Sequence, residues 1–431
     1  MKNKTIFTIV IFLIFSFSLV FPVNAFTSLV PIDGLEAHAD NYQSLDFPTD
    51  SQLFYTNGTY WLIWSENNNF KSYGAYSNDE GATWSSKIQI RTVGAYGSYI
   101  TGVAENDLYI HRRIGQYYSK ARYLDNGTII FESGITGTGQ YMTQSTNDAY
   151  GGGGSVVDSN GYWSSLAFTS AGKDWTLIKN ANNDGSWAMH GDYPMQDIYD
   201  DGEVYHTQIS IDSDDNIYCL FANGTNFWLR TLISDVLGAE VEIADDIGSN
   251  GYFSATIDYA DLLNIVYLDD ENAFVYLTYN LTGSNFSSPV GLADGQSDSC
   301  PKLTYDNVTR DIYLIWFESK MFYMQYDYSQ SSWLEEIQYT DTIATWLSNE
   351  RFVGFEQVSI NELGVAVEHA TLELAFIPFC LDPARTLEEP SEPSEPLTFE
   401  VDNTTIFIVV GIISFMAIGF MLVTAKKGNK I

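Results

Sequence analysis

Between residues 45 and 380 the chain is written in short runs of Tyr, Trp, Val, Ile and Thr separated by Asn, Asp and Gly, with almost no helical periodicity. Such runs predict β-strands joined by tight turns. One phrase recurs: a strand, an acidic or glycine turn, then an aromatic-rich strand. It reads Thr56-Asn-Gly-Thr-Tyr-Trp-Leu-Ile-Trp64 first and returns as Glu105-Asn-Asp-Leu-Tyr-Ile110, Asp158-Ser-Asn-Gly-Tyr-Trp163 and Asp212-Ser-Asp-Asp-Asn-Ile-Tyr218. Asp261-Leu-Leu-Asn-Ile-Val266 and Asp306-Asn-Val-Thr-Arg-Asp-Ile-Tyr313 follow, with a weaker last copy at Asn361-Glu-Leu-Gly-Val-Ala-Val367. Aligning Trp61, Tyr109, Trp163, Tyr218, Val266, Tyr313 and Ala366 gives steps of 48, 54, 55, 48, 47 and 53 residues.

A four-stranded repeat of this length is the signature of a β-propeller blade. One such sheet has two apolar faces and cannot bury both alone; radial packing covers each face with a neighbour and leaves only short edges. The expected fold is therefore all-β, a β-propeller of about seven four-stranded blades, six being the competing count if the weakest copy is an edge extension. The seventh copy shows only three strands, at 355–360, 364–369 and 372–379. A stretch within residues 26–43 is expected to supply the fourth and close the ring.

Two apolar runs bracket this repeat. Residues 1–25 open with Lys2 and Lys4, continue through an apolar stretch over 6–21 and end in Val23-Asn24-Ala25, the order of a secretory signal cut after Ala25. Residues 406–425 carry no charge and are long enough to cross a bilayer as a helix. Lys426, Lys427 and Lys430 follow, which puts residues 426–431 in the cytoplasm. Residues 381–405 contain Glu388-Glu-Pro-Ser-Glu-Pro-Ser-Glu-Pro396, a self-repelling spacer that cannot pack a core. The expected arrangement is a single-pass plasma-membrane protein with its propeller, residues 26–380, outside the cell on a stalk.

The chain has 20 Lys+Arg against 55 Asp+Glu. Without the five lysines of its two ends, the outer portion keeps 15 basic residues against all 55 acids, a balance of −40. That field repels nucleic acid, and polyanionic glycans unless metal ions or a local basic pocket intervene. Three cysteines (Cys219, Cys300, Cys380) are too few to staple a domain this large, so a hydrophobic core must hold it. Cys300 opens the sixth copy and Cys380 closes the seventh, which makes them the candidate bridge; Cys219 lies among apolar residues and is expected to be buried and inert. Sequons at Asn57, Asn126, Asn223, Asn280, Asn285, Asn307 and Asn403 make an exported chain a candidate glycoprotein.

One motif is specific. Ser77-Asn78-Asp79-Glu80-Gly81-Ala82-Thr83-Trp84 fits S-x-D-x-G-x-T-W at every position. Gly81 can take positive φ, Ser77 and Asp79 can satisfy turn amides, and Trp84 can fold back as an apolar lid. Here the chain resembles the Asp-box (BNR repeat) sialidase-like propellers, with degenerate echoes at Tyr279–Phe286 and Tyr326–Trp333. The resemblance covers residues 45–380 by architecture and eight residues by motif. It implies a fold, with Ser77, Asp79, Gly81, Thr83 and Trp84 structural and remote from any active site. Catalytic members resemble one another in an Arg-Ile-Pro segment and three carboxylate-clamping arginines. This chain has no arginine before Arg91, and Arg112, Arg113, Arg122, Arg230, Arg310 and Arg351 do not follow that order.

The longest predicted loop excursion is 182–206. Its Trp187, His190, Asp192 and Tyr193 are candidate ligand residues, since aromatics stack on sugar faces while polar groups fix hydroxyls. Asp197, Asp200, Asp201 and Glu203 are a candidate Ca²⁺ cluster, although they lack D-x-D-x-D-G spacing and a solvated acidic turn explains them as well. Asp212-Ser-Asp214-Asp215-Asn216 is more calcium-like but falls on the recurring blade turn, which favours a plain turn. No cofactor other than this ion is expected. The functional expectation is a surface recognition or adhesion propeller, non-catalytic, binding glycans or other surface proteins; the alternative is a sialidase-like glycoside hydrolase.

Overall fold

The computed structural model describes residues 30–32, 52–56, 58–66, 71–91, 100–104, 108–112, 117–123, 129–136, 154–169, 174–180, 188–195, 206–222, 225–234, 236–318, 320–338, 352–355, 357–358, 362–368 and 374–380. The expected signal, stalk, spanning segment and tail lie outside them. Among the described residues no helix is long and apolar enough to cross a membrane.

The described strands form seven sheets, antiparallel and in chain order except where Gln357–Val358 and Val30–Pro31 join. Blade 1 runs Leu53–Thr56, Thr59–Glu66, Lys71–Ser77 and Ile88–Arg91; blade 2 begins at Ile100–Ala104 and blade 3 at Ser155–Val157. Blade 4 starts at His206–Ile211, blade 5 at Phe253–Ile257, blade 6 at Lys302–Asp306 and blade 7 at Phe352–Gly354. Each first strand lies against the first strand of the next sheet. Gln357–Val358, which follows the first strand of blade 7 in the chain, joins the blade 6 sheet by pairing in parallel with Lys302–Asp306 and comes back against Leu53–Thr56. The first strands thus form a closed ring. The fold is a β-propeller, and all seven aligned repeat residues fall in the second strand of their sheets.

The second strands explain why the sheets stack. Ile217–Ala222, Leu263–Leu268 and Ile312–Phe317 are buried along their whole lengths. Because side chains alternate between faces, one strand feeds two cores. Tyr218, Leu220 and Ala222 pack with Phe253, Ile265 and Tyr267 of blade 5. Cys219 and Phe221, one step out of phase, pack with Val156, Leu166 and Leu177 of blade 3. Val266 and Leu268 likewise turn away from blade 4 to meet Leu303, Leu314 and Trp316 of blade 6.

Polar clasps fix the angle between neighbours at the channel. Gln208 donates through Nε2 to the Ala255 carbonyl (2.7 Å) and accepts from the Ala255 N–H (2.9 Å). The Leu303 N–H donates to Ser254 Oγ at 3.0 Å, and Thr304 Oγ1 donates to the Phe355 carbonyl at 2.6 Å. A second set lies on the rim carrying the turns between first and second strands. There Asp158, Asp212 and Asp258 each accept two amides of their own turn through Oδ1. Ser159 of blade 3 donates its N–H and hydroxyl to Asp215 of blade 4, at 2.7 and 2.5 Å. Ser213 repeats the arrangement on Asp261 of blade 5, at 3.0 and 2.6 Å. The next step changes chemistry, with the Arg310 guanidinium 4.7 Å over the Tyr259 ring.

The ring closes as the sequence predicted. Val30–Pro31 pairs with Leu374–Cys380 as the outermost strand of blade 7, and the Ile32 N–H adds a bond to the Leu374 carbonyl at 3.1 Å. At this seam Phe376 is fully buried, with its ring 5.7 Å from Tyr60 and 5.3 Å from Trp84 of blade 1. It fills space left by Gly81 and Gly364, where a Cβ would lie 2.1 and 1.9 Å from the ring. Gly81 also has φ +86°, so a side chain there is barred twice. Phe376→Ala removes the ring's contacts and leaves a cavity, so urea unfolding should show a loss of about 3–5 kcal/mol; a loss below about 1 kcal/mol would mean the seam repacks without it.

Candidate functional site

The two rims differ in chemistry. The turn rim carries the strand-one-to-two turns and strand-three-to-four hairpins, and its polar groups are largely occupied. The opposite rim carries the links between blades and the strand-two-to-three turns. There a cavity of about 400 Å³ opens between blades 4 and 5.

Three segments build it. The link 245–252 runs beside the blade 5 turn 268–272, held by an antiparallel bridge between Ile247 and Asp269. The Gly248 N–H donates to the Leu268 carbonyl (2.8 Å), the Leu268 N–H to the Tyr252 carbonyl (3.0 Å), and the Asp270 N–H to the Asp246 carbonyl (2.7 Å). Gly248 is required by this close approach, since a Cβ would lie 2.8 Å from the Asp269 carbonyl oxygen. Asn250 then donates through Nδ2 to the Ser297 carbonyl at 2.7 Å, tying the floor to the link that enters blade 6. Tyr252 is 4 % exposed, with the buried His206 imidazole 5.1 Å behind it.

The mouth is polar and acidic. Thr225, Asp245, Asp246, Ser249, Asp270 and Asn272 line it, no Lys or Arg does, and all three aspartates are exposed. Asp246 accepts from the Tyr267 hydroxyl at 3.2 Å. Burial and then the Asp246 charge hold that phenol above its ordinary range, so it stays a donor. The lining offers carboxylates, amides and hydroxyls to a ligand's hydroxyls or cation, and nothing to an anion.

The predicted site residues fall elsewhere. His190, Asp192 and Tyr193 lie within Ala188–Met195, the fourth and outermost strand of blade 3, rather than in a loop entering the channel; Ile178 pairs with Met189 and Trp175 with Met195. The pairing shifts register between these two pairs, so residues 190–193 stand opposite Leu177 alone and break the regular ladder. Trp187, Asp197, Asp200, Asp201 and Glu203 lie outside the described residues. Asp212–Asn216 is a turn in which two carboxylates are occupied: Asp212 Oδ2 accepts from Asn216 Nδ2 and the Tyr218 hydroxyl, both at 2.9 Å, and Asp215 holds Ser159. Among the described residues no group of three or more His, Cys, Asp or Glu is placed to hold a metal ion.

Of the expected Cys300–Cys380 bridge, the Cys380 side chain lies outside the described residues. Cys300 is a buried thiol where the chain enters the first strand of blade 6, on the cavity rim. Cys380 ends the third strand of blade 7 opposite Glu362, on the turn rim. Asn280, Asn285 and Asn307 are exposed; the other four sequons lie outside the described residues. Of the arginines, Arg230 is spent on the Gly238 carbonyl and Arg310 on Tyr259, and neither lines the cavity.

The Ser77–Trp84 hairpin on the turn rim is braced by its own side chains and packs on Phe376 of blade 7. Ser77 Oγ accepts the Gly81 N–H at 2.8 Å and donates to Asp79 Oδ1 at 2.8 Å. Asp79 accepts the Thr83 N–H and hydroxyl at 2.8 and 2.6 Å. Blades 5 and 6 keep the frame: Ser287 and Leu334 donate to the Thr278 and Gln325 carbonyls where Ser85 donates to Tyr76, all at 2.8 Å. In the blade 6 hairpin, Asp327 takes the capping role from a neighbouring position, accepting from the Ser329 N–H and the Gln330 side chain.

The cavity residues passed in the sequence as ordinary links. The signal was there in Ala244-Asp-Asp-Ile-Gly-Ser-Asn-Gly251 and Ala293-Asp-Gly-Gln-Ser-Asp-Ser299, two matching Asp/Gly/Ser connections at the same blade position.

No family model and no curated protein matches this sequence. Among solved structures the chain is similar to a fungal lectin from Aleuria aurantia described as a six-bladed β-propeller with a novel fucose recognition mode (TM-score 0.46, 12% identity, 80% of this chain and 99% of that one). It is similar to an ulvan lyase, a polysaccharide lyase (0.48, 12%, 79% and 96%). It is also similar to the NanB sialidase of Streptococcus pneumoniae (0.44, 10%, 81% and 71%). Likenesses of this size do not bear on ligand or reaction.

Two outcomes are expected. Burial raises the Asp79 carboxyl, but the Thr83 and Ser77 hydrogen bonds outweigh it and hold the group below its ordinary value. Its contribution is therefore present above its unfolded value and lost as pH falls through the folded one. Asp79→Asn should narrow its stability deficit against the parent below about pH 4; a deficit independent of pH would sink this. Burial also pushes the Cys219 thiol up to about 12. Iodoacetamide at neutral pH should leave Cys219 unmodified in the native protein and label it in urea, as read by peptide mass mapping.

Proposed function

We propose that this chain is a cell-surface recognition propeller that binds glycans at the cavity between blades 4 and 5 without turning them over. The observation that carries the reading is the cavity's lining: hydroxyls, amides and carboxylates converge on a concave space within the range of small-ligand sites. Sugar hydroxyls both donate and accept, and such a lining serves both. The secretory-type start, the sequons and the apolar segment at 406–425 support an extracellular, membrane-held protein. The Ser77–Trp84 hairpin supports placing the scaffold among Asp-box propellers.

Turnover is disfavoured by the surroundings of the acids. Glycoside hydrolysis needs two carboxyls held in unlike environments, one as acid and one as base or nucleophile. Asp245, Asp246 and Asp270 all stand open to solvent. Sialidase-type recognition needs arginine forks, and none lines the cavity. A neutral-glycan array probed with the detergent-solubilised full chain should give binding that Asp246→Ala with Asn272→Ala weakens at least about tenfold. Hydrolysis of fluorogenic glycosides abolished by Asp246→Asn would replace this reading with the hydrolase one.

A further inference from the structure

The hairpin between the third and fourth strands of blade 5 holds two of the three described sequons, Asn280-Leu-Thr282 and Asn285-Phe-Ser287. In an extended chain their asparagines stand about 17 Å apart. The fold makes them direct cross-strand partners, with side chains on one face. Both carboxamides close on one glycine: a Cβ on Gly283 would lie 3.3 Å from the Asn285 Cγ and 4.0 Å from the Asn280 Cγ. Two sugars linked there would start within a ring's width of each other, so the hairpin has room for one. The sequons also differ in what the fold leaves free. In the second, the Phe286 ring packs 4.8 Å from Tyr279, and Ser287 is bonded to Thr278 both ways. Its N–H donates to the Thr278 carbonyl at 2.8 Å and its hydroxyl accepts the Thr278 N–H at 2.9 Å. In the first, Leu281 and Thr282 lie in the turn, and the Thr282 hydroxyl is exposed with no bond to the described residues. The third described sequon, at Asn307, is closed like the second, since Thr309 Oγ1 donates to Asp306 at 2.9 Å and accepts the Asp311 N–H at 3.3 Å.

We propose that this hairpin carries one N-linked glycan, on Asn280, and that Asn285 beside it stays bare. This rests on the extracellular reading above and assigns a covalent modification to the rim opposite the cavity. The donor is a sugar linked through phosphate to a polyprenyl lipid. The bond from Asn280 Nδ2 to the anomeric carbon forms as that carbon's bond to the phosphate oxygen breaks. The phosphate leaves with the electron pair, and Nδ2 gives up one proton. The fold tolerates the product, because Asn280 caps its turn through the other atom: Oδ1 accepts the Gly283 N–H at 3.1 Å. Asn280 also leaves the ribosome before Asn285 and meets the donor first. A bulky, solvated chain here clothes the turn rim and leaves the cavity between blades 4 and 5 open.

The test reads site occupancy on the full chain purified from the membranes of its own cells. Intact glycopeptides covering 273–290 are fragmented by electron transfer, which keeps each sugar on its residue. The hairpin should show a single glycan mass, placed on Asn280. Ser287→Ala deletes the second sequon and should leave that mass where it was, whereas Thr282→Ala should strip it from Asn280. Two glycans on one hairpin overturn the proposal, as does a glycan on Asn285 beside a bare Asn280, or loss of the glycan in Ser287→Ala. A membrane-impermeant amine label applied to intact cells separates the two readings. A bare hairpin on a chain that the label reaches overturns this assignment alone; a bare hairpin on a chain that the label cannot reach overturns the surface reading with it.

Discussion

The structure depends on one constraint: a four-stranded sheet whose middle strands are apolar on both faces must be covered twice. Ile217–Ala222 shows the requirement at its plainest, with alternate residues committed to blades 3 and 5. No blade is complete without its neighbours, and the first and last have the same need as the rest. Closure into a ring is the solution that leaves no face over. The Phe376 seam is where it is met, and there packing rather than a covalent link joins the two ends of the fold.

Stacking alone would let blades slide, and polar side chains remove that freedom. In the first strands, residues facing one neighbour are apolar and those facing the other are polar: Phe253, Ala255 and Ile257 against blade 4, and Ser254 reaching blade 6. Ser159 and Ser213 do the same on the turn rim through single carboxylates of the next blade. These groups are saturated by partners in the fold. Those on the other rim are less so, and that asymmetry separates scaffold from site.

The scaffold was legible because its causes are local and repeated. Trp61, Tyr218 and Tyr313 mark second strands at near-constant spacing, and the N-terminal closing strand followed from a count of strands in the last repeat. The site was not legible for the opposite reason. Asp246 and Asp270 lie 24 residues apart and become neighbours only through the backbone hydrogen bonds between a link and a turn. The stretch around His190 carries the aromatics and acids of a binding loop; its two ends pair as an outer strand, and the register breaks across 190–193.

Val30–Pro31 has a consequence for assembly in time. The earliest-synthesised strand of the ring finds its partner only in Leu374–Cys380, the latest. Until that partner emerges from the ribosome, the outer edge it will cover does not exist, and the opening strand must wait unpaired through the making of six blades. Contacts of such sequence separation are slow to form, so circle-locking is the terminal event of folding and the stage at which a chaperone's protection matters most.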